Sequence, residues 1–454
     1  MMKRMKYSIQ ILTALVLTLF LSSCSNDDDS IDTLNVFSAT VNGSNLSDGL
    51  SNVALTGTIE IAFSHTLDSE AFEEALSLSD GQGEANYTSS LGNAGSKAVI
   101  SYSGLNPGST YTITVGQIAL GENGESLDTG FSGSFSTTSE VEETKVPCTS
   151  ATADCMEKIE VAEGAAVEFY SSYDIVSDQE FTWEEIEEVV IVIHGQNRDA
   201  DEYFRYMTNA VGELGKLNNT LIISPEFKEE VNAADGELFW DNNWREGANS
   251  GNSGNAISSF SVLDEMVDYL TNTEKFPNLK EIKFAGHSSG AAMVQHYAFA
   301  NTSEAAYPDY EFQYVVANNQ YFYYPDGRRY NESSSEFYTP TDCTGYDFWP
   351  YGYETAPAYL DGMTQEDLLQ QQITRNTIYL LGSDDTNTEG TLNTTDCAAI
   401  LLGSNRLERG RNIFTFFETF YAENNQEKIE VPNVGHDADA MFNSDEFKSI
   451  LSRD

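Results

Sequence analysis

The sequence predicts an α/β fold, a mostly parallel sheet flanked by helices, preceded by a small all-β sandwich. Three features of the 454-residue chain carry that expectation. From about Thr33 to Thr138, short runs of alternating apolar and polar residues are separated by Gly, Asn, Asp and Pro clusters, the pattern of short half-buried strands. Beyond Cys155 the texture changes to strands alternating with helical stretches, as an α/β domain requires. The strand candidates there, Glu188 to Ile193 above all, are continuously apolar, as expected where a sheet is covered on both faces.

At the start of the chain, Lys3, Arg4 and Lys6 precede an apolar run from Ile11 to Leu21 that ends in small residues before Cys24. This is the layout of an export signal, expected over residues 1–23. The run is shorter than the ~20 apolar residues a spanning helix needs, so contact with a membrane is expected only through an anchor. Leu21-Ser22-Ser23-Cys24 resembles a bacterial lipobox, which implies lipidation of Cys24. The acidic stretch that follows, within residues 24–33, is similar to the tether of Bacteroidetes-type lipoproteins. That likeness implies a chain lipid-anchored to the outer membrane and displayed at the cell surface, with periplasmic display left open.

The formal charge of −49 disfavours nucleic acid as a partner, because phosphate binding needs clustered Lys and Arg. The acidity runs through segments that also carry regular apolar patterns, so it does not mark a disordered tail. Of the five cysteines, setting Cys24 aside leaves four, an even number suited to an oxidising compartment. Cys148 and Cys155 are close enough to close a local loop, which would leave Cys343 and Cys397 as the second pair; four cysteines allow three connectivities.

The expected sandwich spans 34–138, with strands at Thr58 to Phe63, Lys97 to Tyr102 and Tyr111 to Val115. Gly104 to Val115, closing with Phe131 to Thr137, resembles bacterial Ig-like domains and supplies no chemistry; His65 lies there without a partner pattern. Residues 139–160 read as a polar linker, and 161–454 as the catalytic domain. Its strands are expected at Glu188 to Ile193, Thr220 to Ser224, Glu281 to Ala285 and Asn376 to Leu381. Ser258 to Leu270 places Phe260, Leu263, Val267 and Leu270 three or four apart, which predicts an amphipathic helix.

Chemistry enters at Phe284-Ala285-Gly286-His287-Ser288-Ser289-Gly290, a G-x-S-x-G run between a strand and a helix-prone stretch. A sharp turn there would hold Ser288 as a nucleophile at the top of a sheet. A serine hydroxyl needs a base, and the chain has five histidines. His287 and His296 are tied to the turn and its helix, His194 follows an early strand, and His65 lies in the sandwich. That leaves His436, in a loop near the end of the chain, in the Ser, Asp, His order this arrangement expects. The carboxylate that orients the histidine should follow Asn376 to Leu381, where Asp384 and Asp385 compete and spacing does not choose between them. Ser289, directly after the nucleophile, and Gln196, in the turn after Ile193, are expected to donate backbone N–H groups to the oxyanion. A structural hydrogen bond is the expected role of His194. No zinc-like spacing, H-E-x-x-H or P-loop occurs, so neither a metal nor a cofactor is expected.

At four stretches the chain is similar to a subgroup of α/β-hydrolases found in bacteria, fungi and other microbes. These are His194 to Ala200 with Tyr203, Ser258 to Asp264, Gly286 to Gly290, and Gly435-His436-Asp437 with Met441-Phe442. Asp385-Thr386, Cys397 to Ala399 and Asn405 to Gly410 also look like that subgroup, which implies Asp385 as the acid. Cys343, ahead of Tyr346 and Trp349, resembles the disulfide partner of Cys397. The likeness spans roughly residues 185–445 and departs at Ser289, where alanine is common. It implies a serine hydrolase, read as acting on carboxylic esters through an acyl-enzyme, and leaves the ester substrate open; export, anchoring and an accessory β-domain point to acylated polysaccharide or a polyester. Two alternatives share these residues: a serine peptidase or amidase, and a silent glycan-binding lipoprotein using Phe239, Trp240, Trp244, Tyr321, Tyr323 and Trp349.

Overall fold

The computed structural model describes residues 33–46, 49–139, 145–252, 254, 256–389 and 396–453. Cys24, the expected export signal and nearly all of the expected tether lie outside them. The chain divides into two compact units, residues 1–144 and 145–454.

In the first unit, a five-stranded sheet orders Ser44–Asn45, Val36–Val41, Gly57–Phe63, Lys97–Ser103 and Asn86–Gly92, all antiparallel. A four-stranded sheet orders Leu50–Val53, Phe131–Thr137, Thr110–Val115 and Leu76–Ser79. Period-two alternation sends Ile59, Ile61, Phe63, Ile100, Tyr102, Tyr111, Ile113 and Phe135 into one core.

The second unit is built on an eight-stranded sheet. Its strands are β1 (Met156–Ala162), β2 (Ala165–Ser171), β3 (Glu188–Ile193), β4 (Thr220–Pro225), β5 (Glu281–His287), β6 (Glu311–Ala317), β7 (Thr377–Gly382) and β8 (Gln426–Val431), in the order β1-β2-β4-β3-β5-β6-β7-β8. The pairs from β4 to β8 are parallel, and the β1–β2 hairpin joins antiparallel at one edge. Helices α1 (Ala200–Glu213), α2 (Ser259–Leu270), α3 (Ser289–Ala300), α4 (Gln365–Thr374) and α5 (Arg406–Phe420) are the long ones. Every residue of β3, β4 and β7 is buried, which is why these strands read as continuous apolar runs. Helix α2 starts where Ser258 Oγ accepts from Phe260 N at 3.2 Å, and Phe260, Leu263, Val267 and Leu270 are buried in the main core.

The segment expected as a linker over 139–160 is largely part of this unit. Cys148 N donates to Ser172 O, and Met156–Ala162 is already edge strand β1. In that strand Ile159 and Val161 face inward while Lys158 and Glu160 are exposed, so a charged outer face masked a short alternation. Strands β6 and β8 were likewise not expected. Between β6 and α4, residues 318–364 form little regular structure and are held by the fully buried Arg329. Its guanidinium donates to Asp326 O at 2.7 Å and Asp347 Oδ1 at 2.9 Å.

Cys148 pairs with Cys155 and Cys343 with Cys397, at Cα separations of 5.8 and 5.9 Å. The second bridge spans 54 residues and ties the 318–364 segment to the loop after β7. On a chain-entropy account a loop of that length contributes about 4 kcal/mol. Replacing both Cys343 and Cys397 by Ser is therefore expected to lower stability by up to that amount in urea unfolding of the full chain. An unchanged midpoint would show that the bridge does not restrain the unfolded chain.

Candidate active site

The turn from β5 into α3 is forced by backbone packing. A Cβ on Gly290 would lie 2.1 Å from Ile193 O and 2.7 Å from His194 O, and one on Gly286 would lie 2.4 Å from Gly290 O. Only glycine permits either approach. Between them Ser288 takes φ 60°, ψ −115°, a conformation that costs an L-residue roughly 1–3 kcal/mol and persists where surroundings impose it. Its N–H donates to Ala317 O at 3.1 Å, anchoring the turn on β6. Ser288 is half-buried amid buried neighbours and presents its hydroxyl at the C-terminal end of the sheet.

That hydroxyl lies 2.9 Å from His436 Nε2, and His436 Nδ1 lies 2.8 Å from Asp385 Oδ2. The three side chains come from the ends of β5, β7 and β8, brought together across 148 residues of sequence. Gly382 lets the loops after β7 and β8 touch: a Cβ there would sit 2.4 Å from Val434 O. Asp384 N donates to Val434 O at 2.9 Å while its carboxylate is exposed; Asp385 is 2% exposed and faces the imidazole.

Three further residues complete the arrangement. Arg406, buried at the start of α5, grips Asp385 through Nε at 3.0 and 2.9 Å and through Nη2 at 2.8 Å. Burial alone would raise the Asp385 pKa, but the hydrogen bonds from His436 and Arg406 outweigh it and hold the carboxyl below its usual range. Asn318, with φ 46°, donates from Nδ2 to Gly435 O at 2.8 Å and accepts at Oδ1 from Gly382 N at 2.7 Å, so one buried amide pins both loops. Arg245 Nη1 donates to Ser289 Oγ at 3.0 Å. None of these three had been assigned a role from sequence. Arg406 lay in a stretch singled out for its likeness, but nothing in the spacing tied it to Asp385.

His194 Nδ1 lies 2.8 Å from Gly195 O, and its Nε2 accepts from Phe227 N at 3.1 Å, so it shapes the turn that carries Gln196. Gln196 follows two residues after that imidazole and is exposed. Among the described residues, no group accepts from the backbone N–H of Ser289 or of Gln196. The contact of Gly290 with Ile193 O and His194 O brings the two turns side by side.

A mostly parallel sheet with a G-x-S-x-G turn between β5 and α3, an aspartate after β7 and a histidine after β8 is the α/β-hydrolase fold. The unit before it is a bacterial Ig-like domain, with residues 38–137 matching the family of that description. No curated protein matches the chain. Among solved structures, it is similar to a poly(3-hydroxybutyrate) depolymerase from Bordetella parapertussis, at 19% identity over 61% of this chain and 81% of that one, TM-score 0.44. It is also similar to poly(aspartic acid) hydrolase-1 from Sphingomonas sp. KT-1, at 17% identity over 63% and 94%, TM-score 0.44. A siderophore hydrolase from Aspergillus nidulans aligns at 12% identity over 66% and 94%, TM-score 0.36.

Two expectations follow for stability. Gly290→Ala should cost about 3 kcal/mol or more, because the methyl meets rigid backbone, and thermal unfolding of the purified variant measures it. The second concerns acid. Burial pushes His194 down to about 4, and burial together with the neighbouring His436 holds His287 well below its ordinary value. A histidine kept neutral in the fold stabilises it fully above the unfolded pKa of ~6.5. That stability drains away as pH falls toward the folded pKa, because the unfolded chain binds the proton. Burial lowers His296 as well, and three such groups give a slope of up to about 4 kcal/mol per pH unit below ~6.5. Urea unfolding between pH 7 and 5 should show the loss, and a flat profile would contradict the neutral assignment.

Proposed function

We propose that the second unit is a serine hydrolase that cleaves carboxylic esters through an acyl-enzyme. One observation carries this: Ser288, His436 and Asp385 form a continuous hydrogen-bonded line, 2.9 and 2.8 Å, at the C-terminal end of the sheet. With Asp385 ionised, its partner His436 Nδ1 carries the proton and Nε2 accepts that of Ser288. The serine oxygen attacks the ester carbonyl, and the oxyanion takes the N–H groups of Ser289 and Gln196. His436 then returns its proton to the leaving alcohol; water next gives a proton to His436 and attacks the acyl carbonyl, and the Ser288 ester bond breaks as His436 protonates the serine oxygen, releasing the acid. Every step uses groups of this unit, and the proton shuttles between Ser288, His436 and the departing or entering oxygen.

In this reading the chain is exported and held to the outer membrane by lipid on Cys24, displayed at the cell surface. An anchored enzyme with an accessory Ig-like domain suits a polymeric ester, acylated polysaccharide or polyester. The glycan-binding alternative is less well supported. Trp240, Trp244, Tyr321 and Tyr323 are buried in the main core and so lack the open ring faces that stack on sugars.

Ester turnover should fall roughly 10⁴-fold or more in Ser288→Ala, and by a comparable factor in Asp385→Asn, which mis-sets the imidazole. The exposed Asp384→Asn should stay within a few-fold of the parent. The readout is kcat/KM on chromogenic esters of rising acyl length, beside acetylated glycans and peptide anilides. Turnover surviving in Ser288→Ala would remove the serine mechanism, and preference for the anilides would move the enzyme to the amidases.

A further inference from the structure

From the arrangement around Arg245 we infer a subsite for a carboxylate carried by the substrate, beside the nucleophile; this rests on the ester-hydrolase reading. Arg245 lies in a one-turn helix, Trp244–Glu246, flanked by left-handed residues Asn243 at φ 56° and Gly247 at φ 78°. The turn is rigidly seated. Trp244 packs against Phe227 at 5.3 Å and His194 at 4.6 Å between ring centroids, and its carbonyl accepts from Ser259 Oγ at 2.5 Å. Glu246 O accepts from Trp349 Nε1 at 2.9 Å.

The guanidinium is aimed by three contacts. Nε donates to Tyr321 Oη at 2.8 Å and, more distantly, to Glu246 Oε1 at 3.4 Å, while Tyr321 donates in turn to Glu246. Nη1 donates to Ser289 Oγ at 3.0 Å, one residue from the nucleophile. This gives the serine that stands where alanine is common something to do: its hydroxyl holds Arg245 over the start of α3. Among the described residues nothing accepts from Nη2, and the side chain keeps 26% of its surface exposed. An arginine anchored on one edge and open on the other is prepared for a planar anion.

The surroundings add to that preference. The N-terminus of the 12-residue helix α3 contributes partial positive charge at the same place. Arg198 lies over the Trp244 ring at 5.8 Å, its guanidinium donating to Phe227 O at 2.6 Å and pairing with Glu229 at 3.8 Å. Arg245 reaches the residue beside the nucleophile in a chain with 72 acidic and only 23 basic residues, where random placement would favour carboxylates. A carboxylate that bonds Nη2 orients the ester over Ser288, and an ester without one loses that contact.

Two substrate pairs test this. In one the carboxylate is on the acyl side, p-nitrophenyl hydrogen adipate against its methyl ester. In the other it is on the leaving group, the acetate of p-hydroxyphenylacetic acid against that of its methyl ester. The parent enzyme should favour the free carboxylate in at least one pair, and which pair tells the side of the scissile bond. Arg245→Met should lower that kcat/KM ratio about 10- to 100-fold, the range of a charge-assisted hydrogen bond. Arg245→Lys, which keeps the charge, should retain part of it and serves if the Met variant does not fold. Ratios that Arg245→Met leaves within about threefold, with all four esters still cleaved, overturn the subsite while leaving the ester-hydrolase reading intact. No turnover of any ester by the parent enzyme overturns both.

Discussion

Ile193 O and His194 O approach Gly290 so closely that a methyl group there would overlap the first at 2.1 Å. This backbone contact couples three things. It presses the start of α3 against the end of β3, which leaves Ser288 in a strained positive-φ conformation. It places the N–H of Ser289 beside the turn that carries Gln196. It also makes the strand ends at β3 and β5 one rigid edge, on which the loops after β7 and β8 converge. The strain at Ser288 is small compared with the burial of every residue of α3, so the helix enforces the turn.

The electrostatics of the site run against those of the molecule. A chain of net charge −49 sets two arginines against the residues around Ser288: Arg406 on Asp385 and Arg245 on Ser289. A buried ion pair such as Asp385–Arg406 adds little stability by itself, since desolvation offsets most of the attraction. What it does is keep the carboxylate ionised and its orientation fixed, with Oδ2 facing both Arg406 Nε and His436 Nδ1. His287, whose ring lies 4.6 Å from that of His436, is kept neutral by burial, so it places no cation beside His436.

Much of this was legible in the sequence because it obeys short-range rules. Strands β3, β4 and β7 are buried on both faces and read as nearly continuous apolar runs, helix α2 repeats every three or four residues, and the glycines that bracket Ser288 mark the end of β5 despite its buried Lys283. Edge strands were not legible: β1 and β8 carry Lys and Glu outward, and their alternation is interrupted by charge. Nor was β6, where Gln313 is buried in an otherwise apolar run. Asp385 could be separated from Asp384 only by likeness, since a one-residue shift in a turn exchanges buried and exposed faces. Asn318, Arg406 and Arg245 act across 64, 21 and 44 residues of sequence, and no local pattern announces such contacts.

The central claim is that the strained turn makes Ser288, and no other serine, nucleophilic. Treating the folded chain with a fluorophosphonate and locating the adduct by peptide mass mapping tests it most directly. A single adduct should form on Ser288 at neutral pH and be absent after denaturation or in His436→Ala. An unlabelled Ser288, or equal labelling of other serines, would contradict the account.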